Sequence, residues 1–183
     1  MRDEVTDENL MSQVALGDAT AFAALLERHL GPVLVFIKRY IADHSAAEDI
    51  AQEVFLRAWQ HADRWCPQGA TARGWFYRIA YNLCIDVLRR QRPTSDELDR
   101  LVVSDTPEQI LTNHAREQGI RKAMDALPER QRTALYLCGY QGLSNKEAAH
   151  ILEVSVEALE SLLARARRTL RSQIEAVEGK HNE

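Results

Sequence analysis

The feature that most constrains this chain is a four-residue signal, repeated three times, that begins helices. Residues 45–48, 106–109 and 144–147 read SAAE, TPEQ and SNKE, each with a hydroxyl residue three positions before Glu or Gln. In such a capping box the two side chains satisfy free N–H groups of the first helical turn. Segments with the alternating pattern of a strand are nearly absent. The sequence therefore predicts an all-α protein.

Other start and stop residues complete the predicted helices. Asp18, Thr71 and Ser155 are suited to cap helix N-termini, and Gly17 is suited to end the first helix. The Gly-Pro pair at 31–32 is expected to separate two helices, because proline interrupts helical hydrogen bonding. The predicted helices span about residues 7–16, 18–30, 33–42, 45–61, 71–91, 106–126, 128–142, 144–152 and 155–174.

These helices fall into two groups. The chain has 183 residues, enough for one large domain or two small ones. Near residues 92–105 the helical period is lost and the sequence becomes acidic, which is typical of a linker. The prediction is two small helical domains, at 1–92 and 106–183, joined by a flexible linker at 93–105.

Charge is segregated along the chain, although the net charge is only −4. Residues 1–63 contain 5 basic and 11 acidic side chains, and residues 64–92 contain 6 basic and 1 acidic. Residues 93–120 are acidic again, with 2 basic and 6 acidic side chains, whereas 164–172 contain four Arg and no acid. Affinity for nucleic acid depends on such local clusters and not on the total. The acidic N-terminal segment is therefore expected to bind a partner other than DNA.

Several classes of site and location are disfavoured. The cysteines at 66, 84 and 138 form no CxxC pair, and the six histidines show no metal-binding spacing. No catalytic site, metal site, cofactor or small-molecule substrate is therefore predicted. No apolar run approaches the roughly 20 residues needed to cross a bilayer. The acidic N-terminus does not resemble a secretory signal, so a cytoplasmic location without a membrane segment is expected.

The helix at 73–92 combines aromatic and basic residues. On a helical wheel its predicted core face is Phe76, Ile79, Ala80, Leu83 and Val87. The opposite, basic side consists of Arg78, Asn82, Arg89 and Arg92. Tyr77, Tyr81 and Leu88 fall between the two, where aromatic rings could stack on unpaired bases. The alternative is an ordinary amphipathic helix whose aromatic residues belong to the core.

The helix at 45–61 shows the opposite charge. Its predicted buried side is Ala47, Ile50, Val54 and Ala58. Asp49, Glu53, Leu56 and Gln60 lie opposite, with Gln52 beside them. Two carboxylates around an outward Leu are typical of a surface that docks a basic helix of another protein. A solvated acidic surface with one exposed Leu is the alternative.

The segment 144–171 has the pattern of a helix-turn-helix. Its second helix has an apolar stripe of Val156, Leu159, Leu163, Ala166 and Leu170. The opposite side consists of Ala158, Ser161, Arg165, Arg168 and Ser172. Small residues followed by Arg suit a helix that enters the major groove of DNA. A pair of helices in an ordinary bundle is the alternative.

Three motifs in this order resemble the extracytoplasmic-function sigma factors of the sigma-70 family, over roughly residues 15–91 and 127–171. Residues 47–59 (AEDIAQEVFLRAW) are similar to the family's polymerase-binding motif. Residues 75–82 (WFYRIAYN), with Asp86, Arg89 and Arg90, are similar to its −10 helix. Residues 127–132 (LPERQR) and 142–149 (GLSNKEAA) are similar to the entry to its −35-binding region.

This resemblance implies roles for individual residues. Asp49, Gln52, Glu53, Leu56 and Gln60 would bind the clamp helices of the largest polymerase subunit. The −10 contacts would be Arg73, Trp75, Tyr77, Arg78, Asn82, Arg89 and Arg90, and the loop at 64–70 would hold a flipped base. The −35 contacts would be Lys146, Ala158, Ser161, Arg165 and Arg168.

The resemblance also implies a function and partners. The domains would be sigma region 2 and sigma region 4, and the chain would bind core RNA polymerase, recognise promoter DNA and direct transcription initiation without enzymatic activity. A stress response and an anti-sigma factor, membrane-bound in some relatives, are expected. The sequence departs from the family pattern at Glu160 and Leu162, which replace basic residues, and at Glu153, where Gly is frequent.

Two other functions are compatible with parts of the sequence. A stand-alone helix-turn-helix regulator would bind duplex DNA as a dimer, but it leaves the acidic helix at 45–61 unexplained. A sigma-like decoy that only sequesters an anti-sigma factor should lack basic DNA-contacting residues, yet Arg78, Arg89 and Arg90 are present.

Overall fold

The computed structural model of this chain describes residues 5–66, 70–91, 123–124 and 126–179. Every regular element within these residues is helical, in agreement with the predicted all-α class. The chain divides into two compact units, Met1–Thr94 and Ser95–Glu183. The predicted linker at 93–105 and the capping box at 106–109 lie outside the described residues.

Unit 1 contains four α-helices in its described part. They are α1 (Asp7–Val14), α2 (Ala19–Ile37), α3 (His44–Gln60) and α4 (Ala72–Gln91), with a 3₁₀ turn at Ala62–Arg64. α2 packs against each of the other three, and α3 also packs against α4. Aromatic rings join the helices in the core: Phe36 of α2 meets Tyr77 of α4 edge-on at 5.1 Å, and Phe55 of α3 lies 5.3 Å from Phe76.

Most predicted helix starts in unit 1 are confirmed, since capping depends only on nearby residues. Asp18 accepts hydrogen bonds from the N–H groups of Thr20 and Ala21, and Thr71 accepts one from Gly74. The predicted capping box at 45–48 is wrong. α3 begins at His44, and its cap is Asp43, whose carboxylate accepts the Ala46 N–H at 2.7 Å.

The predicted break at 31–32 is also wrong, because α2 continues through Pro32. Proline leaves the carbonyl of Arg28 without its helical hydrogen bond, which costs about 3 kcal/mol in a helix interior. Leu25 before the proline and Val33 and Phe36 after it are fully buried on the same side of α2. Their burial on both sides of Pro32 offsets this cost and keeps one helix.

This continuous helix corrects the prediction that no segment is long and apolar enough to cross a membrane. α2 has 19 residues and a mean hydropathy of 1.4, so it meets that requirement by length and composition. It also contains Glu27, Arg28 and His29 at its middle. α2 packs against α1, α3 and α4, and the core of unit 1 contains part of its apolar side, including Leu25, Val33, Phe36 and Ile37.

A charged cluster attaches α1 to α2. The carboxylate of Asp7 accepts Arg28 Nη1 at 2.8 Å and lies 2.6 Å from His29 Nε2, while Arg28 also donates to the Val5 carbonyl. Partial burial raises the pKa of Asp7, but the hydrogen bonds and charges of Arg28 and His29 outweigh it and leave that pKa below the ordinary 3.8. The folded chain therefore favours the ionised form of Asp7.

Unit 2 contains α5 (Glu129–Leu135), a π-helical segment (Tyr136–Tyr140), α6 (Asn145–Ile151) and α7 (Val156–Gly179). The capping box at 144–147 is confirmed, with Ser144 Oγ accepting the Glu147 N–H and the Glu147 carboxylate accepting the Ser144 N–H. The core of this unit includes Leu137, Leu143, Ile151, Leu152, Leu159, Leu163 and Ala166. The sequence predicted one α-helix over 128–142 and missed the π segment, in which Gln141 N–H bonds to the Tyr136 carbonyl.

The turn between α6 and α7 requires an unusual backbone conformation. Glu153 has a φ of 53°, in the left-handed region that favours glycine. The Val154 N–H reaches back to the Ala149 carbonyl at 3.0 Å, the pattern of a Schellman motif. Glu153 thus occupies the position at which a Schellman motif normally has Gly, which is where the sequence departs from the family pattern.

Glu153→Gly is expected to raise the free energy of unfolding by about 0.5–1 kcal/mol. Glycine removes a left-handed backbone cost of roughly 1–2 kcal/mol but adds flexibility to the unfolded chain. Urea and thermal unfolding followed by circular dichroism would measure the change. Glu153→Ala is the matched control, because it removes the same carboxylate and keeps the Cβ. An equal gain in both variants would contradict the backbone explanation.

Asp7→Asn is expected to destabilise the chain near neutral pH by about 1 kcal/mol, because the carboxylate is only partly buried. Since the pKa of Asp7 is lowered on folding, its contribution is complete above the ordinary value of 3.8 and is lost as pH falls through the folded value. The difference between wild type and Asp7→Asn should therefore shrink in acid unfolding curves. Glu8→Gln, in the same first turn, is the control, and a pH-independent difference would contradict the role of ionised Asp7.

Candidate protein and nucleic-acid interfaces

An acidic face covers the outer side of α3, and we define it as Asp49, Gln52, Glu53, Leu56 and Gln60. Asp49, Gln52 and Gln60 are exposed, and Leu56 remains 49% exposed despite being apolar. Glu53 accepts a hydrogen bond from Arg57 Nε at 2.6 Å. The predicted buried side is confirmed, with Ala47, Ile50, Val54 and Ala58 all buried. The five side chains therefore form one continuous surface available to a partner.

An apolar groove lies beside the acidic face, between α2 and α3. It has a volume of about 490 Å³ and is lined by Ala19, Phe22, Leu26, Leu30, Gln52, Phe55, Leu56 and Trp59. The Trp59 ring contacts the Phe22 ring edge-on, with 5.1 Å between the ring centroids, and it forms part of the wall of the groove. Gln52 and Leu56 belong to both surfaces, so a partner on the acidic face also reaches the groove. This groove was not among the predicted surfaces, although the spacing of Phe22, Leu26 and Leu30 indicates a second apolar stripe on α2.

The aromatic residues of α4 lie differently from the prediction. Tyr77 is fully buried and Tyr81 is 8% exposed, so the prediction that they flank the basic side and stack on bases is wrong. Tyr77 packs on Phe36 and Tyr81 on Tyr40, at 5.1 and 6.0 Å between ring centroids. The core side of α4 is therefore rotated toward α2, and the predicted core residues Ile79, Leu83 and Val87 are only half-buried.

Of the residues predicted for the basic side of α4, Arg92 lies outside the described part of the chain, and Arg78, Asn82 and Arg89 lie within it. Asn82, Arg89 and Arg90 are exposed, and Arg73, Trp75 and Arg78 are half-buried. Before α4, Trp65 Nε1 donates a hydrogen bond to the Ala70 carbonyl at 3.2 Å, across the loop at 64–70. Residues 67–69 of that loop lie outside the described residues. The exposed Arg89 and Arg90 lie in the last turn of α4, and Trp65 and Ala70 precede its first turn, so phosphate contacts could be spread along the length of the helix.

The helix-turn-helix consists of α6 and α7. The two helices pack against each other. Ala148 and Ala149 of α6 are buried, as are Leu159 and Leu163 in the apolar stripe of α7. All predicted contact residues are exposed, namely Lys146, Ala158, Ser161, Arg165 and Arg168. The outer side of α7 is therefore free to enter a groove of DNA.

The start of α7 is acidic. Ser155 accepts the Ala158 N–H at 3.1 Å and caps the helix. Hydrogen bonds from its own backbone N–H and from the Ser155 side chain lower the pKa of Glu157. One turn later, Glu160 accepts a hydrogen bond from Asn145 Nδ2 at 3.4 Å. The Glu157 carboxylate thus belongs to the cap of α7, whereas the Glu160 carboxylate joins α7 to α6.

Within the described residues, no group of three or more His, Cys, Asp or Glu side chains is arranged to hold a metal ion. Cys66 is exposed and Cys84 is buried. Burial raises the pKa of the Cys138 thiol. The surfaces described above are suited to binding, since they combine charge, exposed apolar area and hydrogen-bonding groups.

Family models match both units of the chain. The model of sigma-70 region 2 matches residues 25–94, and that of sigma-70 region 4 matches residues 117–170. The ECF RNA polymerase sigma factor SigE of Mycolicibacterium smegmatis is 31% identical over 166 residues, which are 86% of this chain and 64% of that protein. The chain thus spans slightly less than two thirds of SigE. The ECF RNA polymerase sigma-E factor of Escherichia coli (strain K12) is 28% identical, covering 96% of this chain and 97% of that protein.

Solved structures resemble the chain over most of its length. CnrH, in complex with the cytosolic domain of CnrY, is 28% identical with a TM-score of 0.65, covering 93% of this chain and 97% of CnrH. The sigma factor RpoE of Bartonella quintana, in complex with the anti-sigma factor NepR, is 25% identical with a TM-score of 0.66, covering 84% and 96%. Both resemblances extend over the two units.

Tyr77→Ala is expected to destabilise unit 1 by about 3–5 kcal/mol, because it removes a buried aromatic side chain from the core. Trp75→Ala, two residues earlier and only half-buried, is the matched control and should cost less. Urea unfolding followed by circular dichroism would measure both. A Tyr77→Ala protein as stable as wild type, with weakened binding to single-stranded DNA, would instead support base stacking by Tyr77.

Proposed function

Because the chain belongs to the extracytoplasmic-function sigma factors of the sigma-70 family, we propose that it binds core RNA polymerase, recognises the −10 and −35 elements of promoters and directs transcription initiation. The observation that supports this most is the presence of two unlike surfaces on unit 1. An acidic face with exposed apolar area lies on α3, and exposed cations lie on α4. A protein that only binds duplex DNA requires a cationic surface such as that of α4, but it does not require the acidic face of α3.

We propose that the acidic face of α3 binds core polymerase. Its partner there would be the clamp helices of the largest polymerase subunit. Asp49 supplies a carboxylate for a basic helix, and Leu56 supplies apolar area that a partner can bury. Burial of exposed apolar surface contributes about 25 cal/mol per Å², and charge complementarity increases the association rate. The groove beside Leu56 allows the same partner to bury further apolar area.

The −10 element is the proposed ligand of α4 and the loop at 64–70. Exposing an unpaired base costs a few kcal/mol, which phosphate contacts and stacking can offset. We propose that the exposed Asn82, Arg89 and Arg90 contact the separated strand. Arg73 and Arg78, which are half-buried and nearer the start of α4, are proposed to contact it as well. Since Tyr77 is buried, Trp75 is the aromatic side chain on this part of α4 that we propose for stacking.

The −35 element is the proposed ligand of the helix-turn-helix. In such motifs the second helix lies in the major groove and its N-terminal residues contact base edges. Ala158 and Ser161 leave room for close approach, and Arg165 and Arg168 follow one turn later. Lys146 is exposed at the start of α6, and we propose that it contacts phosphate. We propose residues 93–105 as the linker that lets the two units reach separate elements.

The chain acts by binding and strand capture, and we propose no covalent chemistry, cofactor or small-molecule substrate for it. An anti-sigma factor is a proposed further partner, because RpoE and CnrH, two similar proteins, were each solved with a partner named NepR or CnrY. Such a regulator would cover surfaces that polymerase or DNA also uses. A cytoplasmic location follows from these partners, and a stress signal would act through the regulator.

Asp49→Lys is expected to weaken binding to purified core polymerase at least about tenfold and to lower promoter-dependent transcription in parallel. Asp49 is preferable to Glu53 for this test, since Glu53 is bonded to Arg57 within the chain. Glu27→Lys makes the same change of charge at an exposed position of α2 and should leave both activities intact. Fluorescence anisotropy and run-off transcription would measure them. Failure of the wild-type chain to bind core polymerase would overturn the proposed function.

A further inference from the structure

The base-contacting end of α7 has the opposite charge from the rest of that helix. Residues 156–164 read VEALESLLA and contain no Lys or Arg, whereas four Arg occur between 165 and 171. In a helix-turn-helix the N-terminal residues of the second helix meet the base edges, and later residues meet the phosphates. In this chain carboxylates therefore stand at the end nearest the bases, and guanidinium groups follow.

The two carboxylates in this part of α7 have different surroundings. Glu157 belongs to the helix cap, since its own N–H and the Ser155 hydroxyl lower the pKa of its carboxyl. Glu160 is exposed, and one of its oxygens accepts Asn145 Nδ2 from the first residue of α6. Among the side chains described between 126 and 173, no cation forms an ion pair with Glu160. Glu160 is thus positioned by a neutral donor, and none of the cations described between 126 and 173 is paired with it.

An uncompensated carboxylate in the major groove selects among the base edges. Phosphates repel it, so its presence there is favourable only when a base supplies a hydrogen-bond donor. Guanine and thymine present acceptors in the groove, and adenine presents its N6 donor beside the N7 acceptor. Cytosine presents its N4 amino group, and Glu or Asp is the side chain that accepts from it.

We infer that Glu160 is a specificity-determining residue, which selects a cytosine in the −35 element by accepting a hydrogen bond from its N4 amino group. This inference rests on the proposed function. Asn145 is the positioning residue, because its amide holds the Glu160 side chain toward α6. Arg165 and Arg168 then contact the flanking phosphates and compensate for the charge of the carboxylate in the complex.

The test is selection of promoters from a library with randomised −35 positions, using the full chain with core polymerase. Wild type should enrich cytosine at one position roughly 5- to 30-fold over each other base. Glu160→Gln should move the preference at that position to adenine, because the Gln amide pairs with adenine N6 and N7. Glu157→Gln is the matched control and should keep the cytosine. Thermal unfolding of the two variants verifies that neither change alters the fold.

Each outcome decides between the possibilities. Loss of cytosine in Glu160→Gln alone, with a new adenine preference, supports the contact and could not arise from a merely structural hydrogen bond to Asn145. Identical preferences in wild type and Glu160→Gln would overturn the inference while leaving the proposed function in place. No enrichment of any sequence by the wild-type holoenzyme would overturn the proposed function, and this inference with it.

Discussion

Unit 1 depends on α2 remaining one helix past Pro32. The helix packs against α1, α3 and α4, and its residues Leu25, Val33 and Phe36 are fully buried. A break at the proline would separate Leu25 from the other two and would divide the core to which the other helices attach. The exposed position of Pro32 places the missing hydrogen bond on the solvent side, where water can satisfy the free carbonyl.

The packing on α2 determines which side chains the neighbouring helices present to solvent. α3 buries its alanine-rich side together with Phe55, so its carboxylates and Leu56 face outward. α4 buries Tyr77 and Tyr81 toward α2, so Asn82, Arg89 and Arg90 remain outside. The two candidate interfaces of unit 1 thus follow from a single core, and a change in the rotation of either helix would alter a surface as well as the packing.

Local patterns predicted what local interactions determine. The caps at Asp18, Thr71 and Ser144 were predictable because their hydrogen bonds join residues two or three positions apart. Asp43 and Ser45 are both good caps, and short-range rules could not rank them. The acidic face was predictable because the apolar side of α3 is unambiguous.

Features that depend on neighbouring helices were not predictable in the same way. The continuity of α2 depends on tertiary burial on both sides of Pro32, which no window around the proline contains. The burial of Tyr77 depends on where Phe36 lies, and a helical wheel of α4 has no information about that neighbour. The groove between α2 and α3 likewise needs both helices in place before its apolar walls meet.

The net charge of −4 does not indicate how this chain would bind DNA, because its acidic and basic groups lie on separate surfaces. A helix with its side chains is about 10–12 Å across, and the Debye length at physiological salt is about 8 Å. Charges on opposite sides of a packed helix pair are therefore largely screened from one another. The acidic face of α3 does little to cancel the cations of α4, and each surface acts on its own partner.

Within α7 the separation between Glu160 and Arg165 is only about 7.5 Å of helical rise, below the screening length. In the proposed complex these opposite charges would act on the same stretch of DNA, which would couple base selection to phosphate binding.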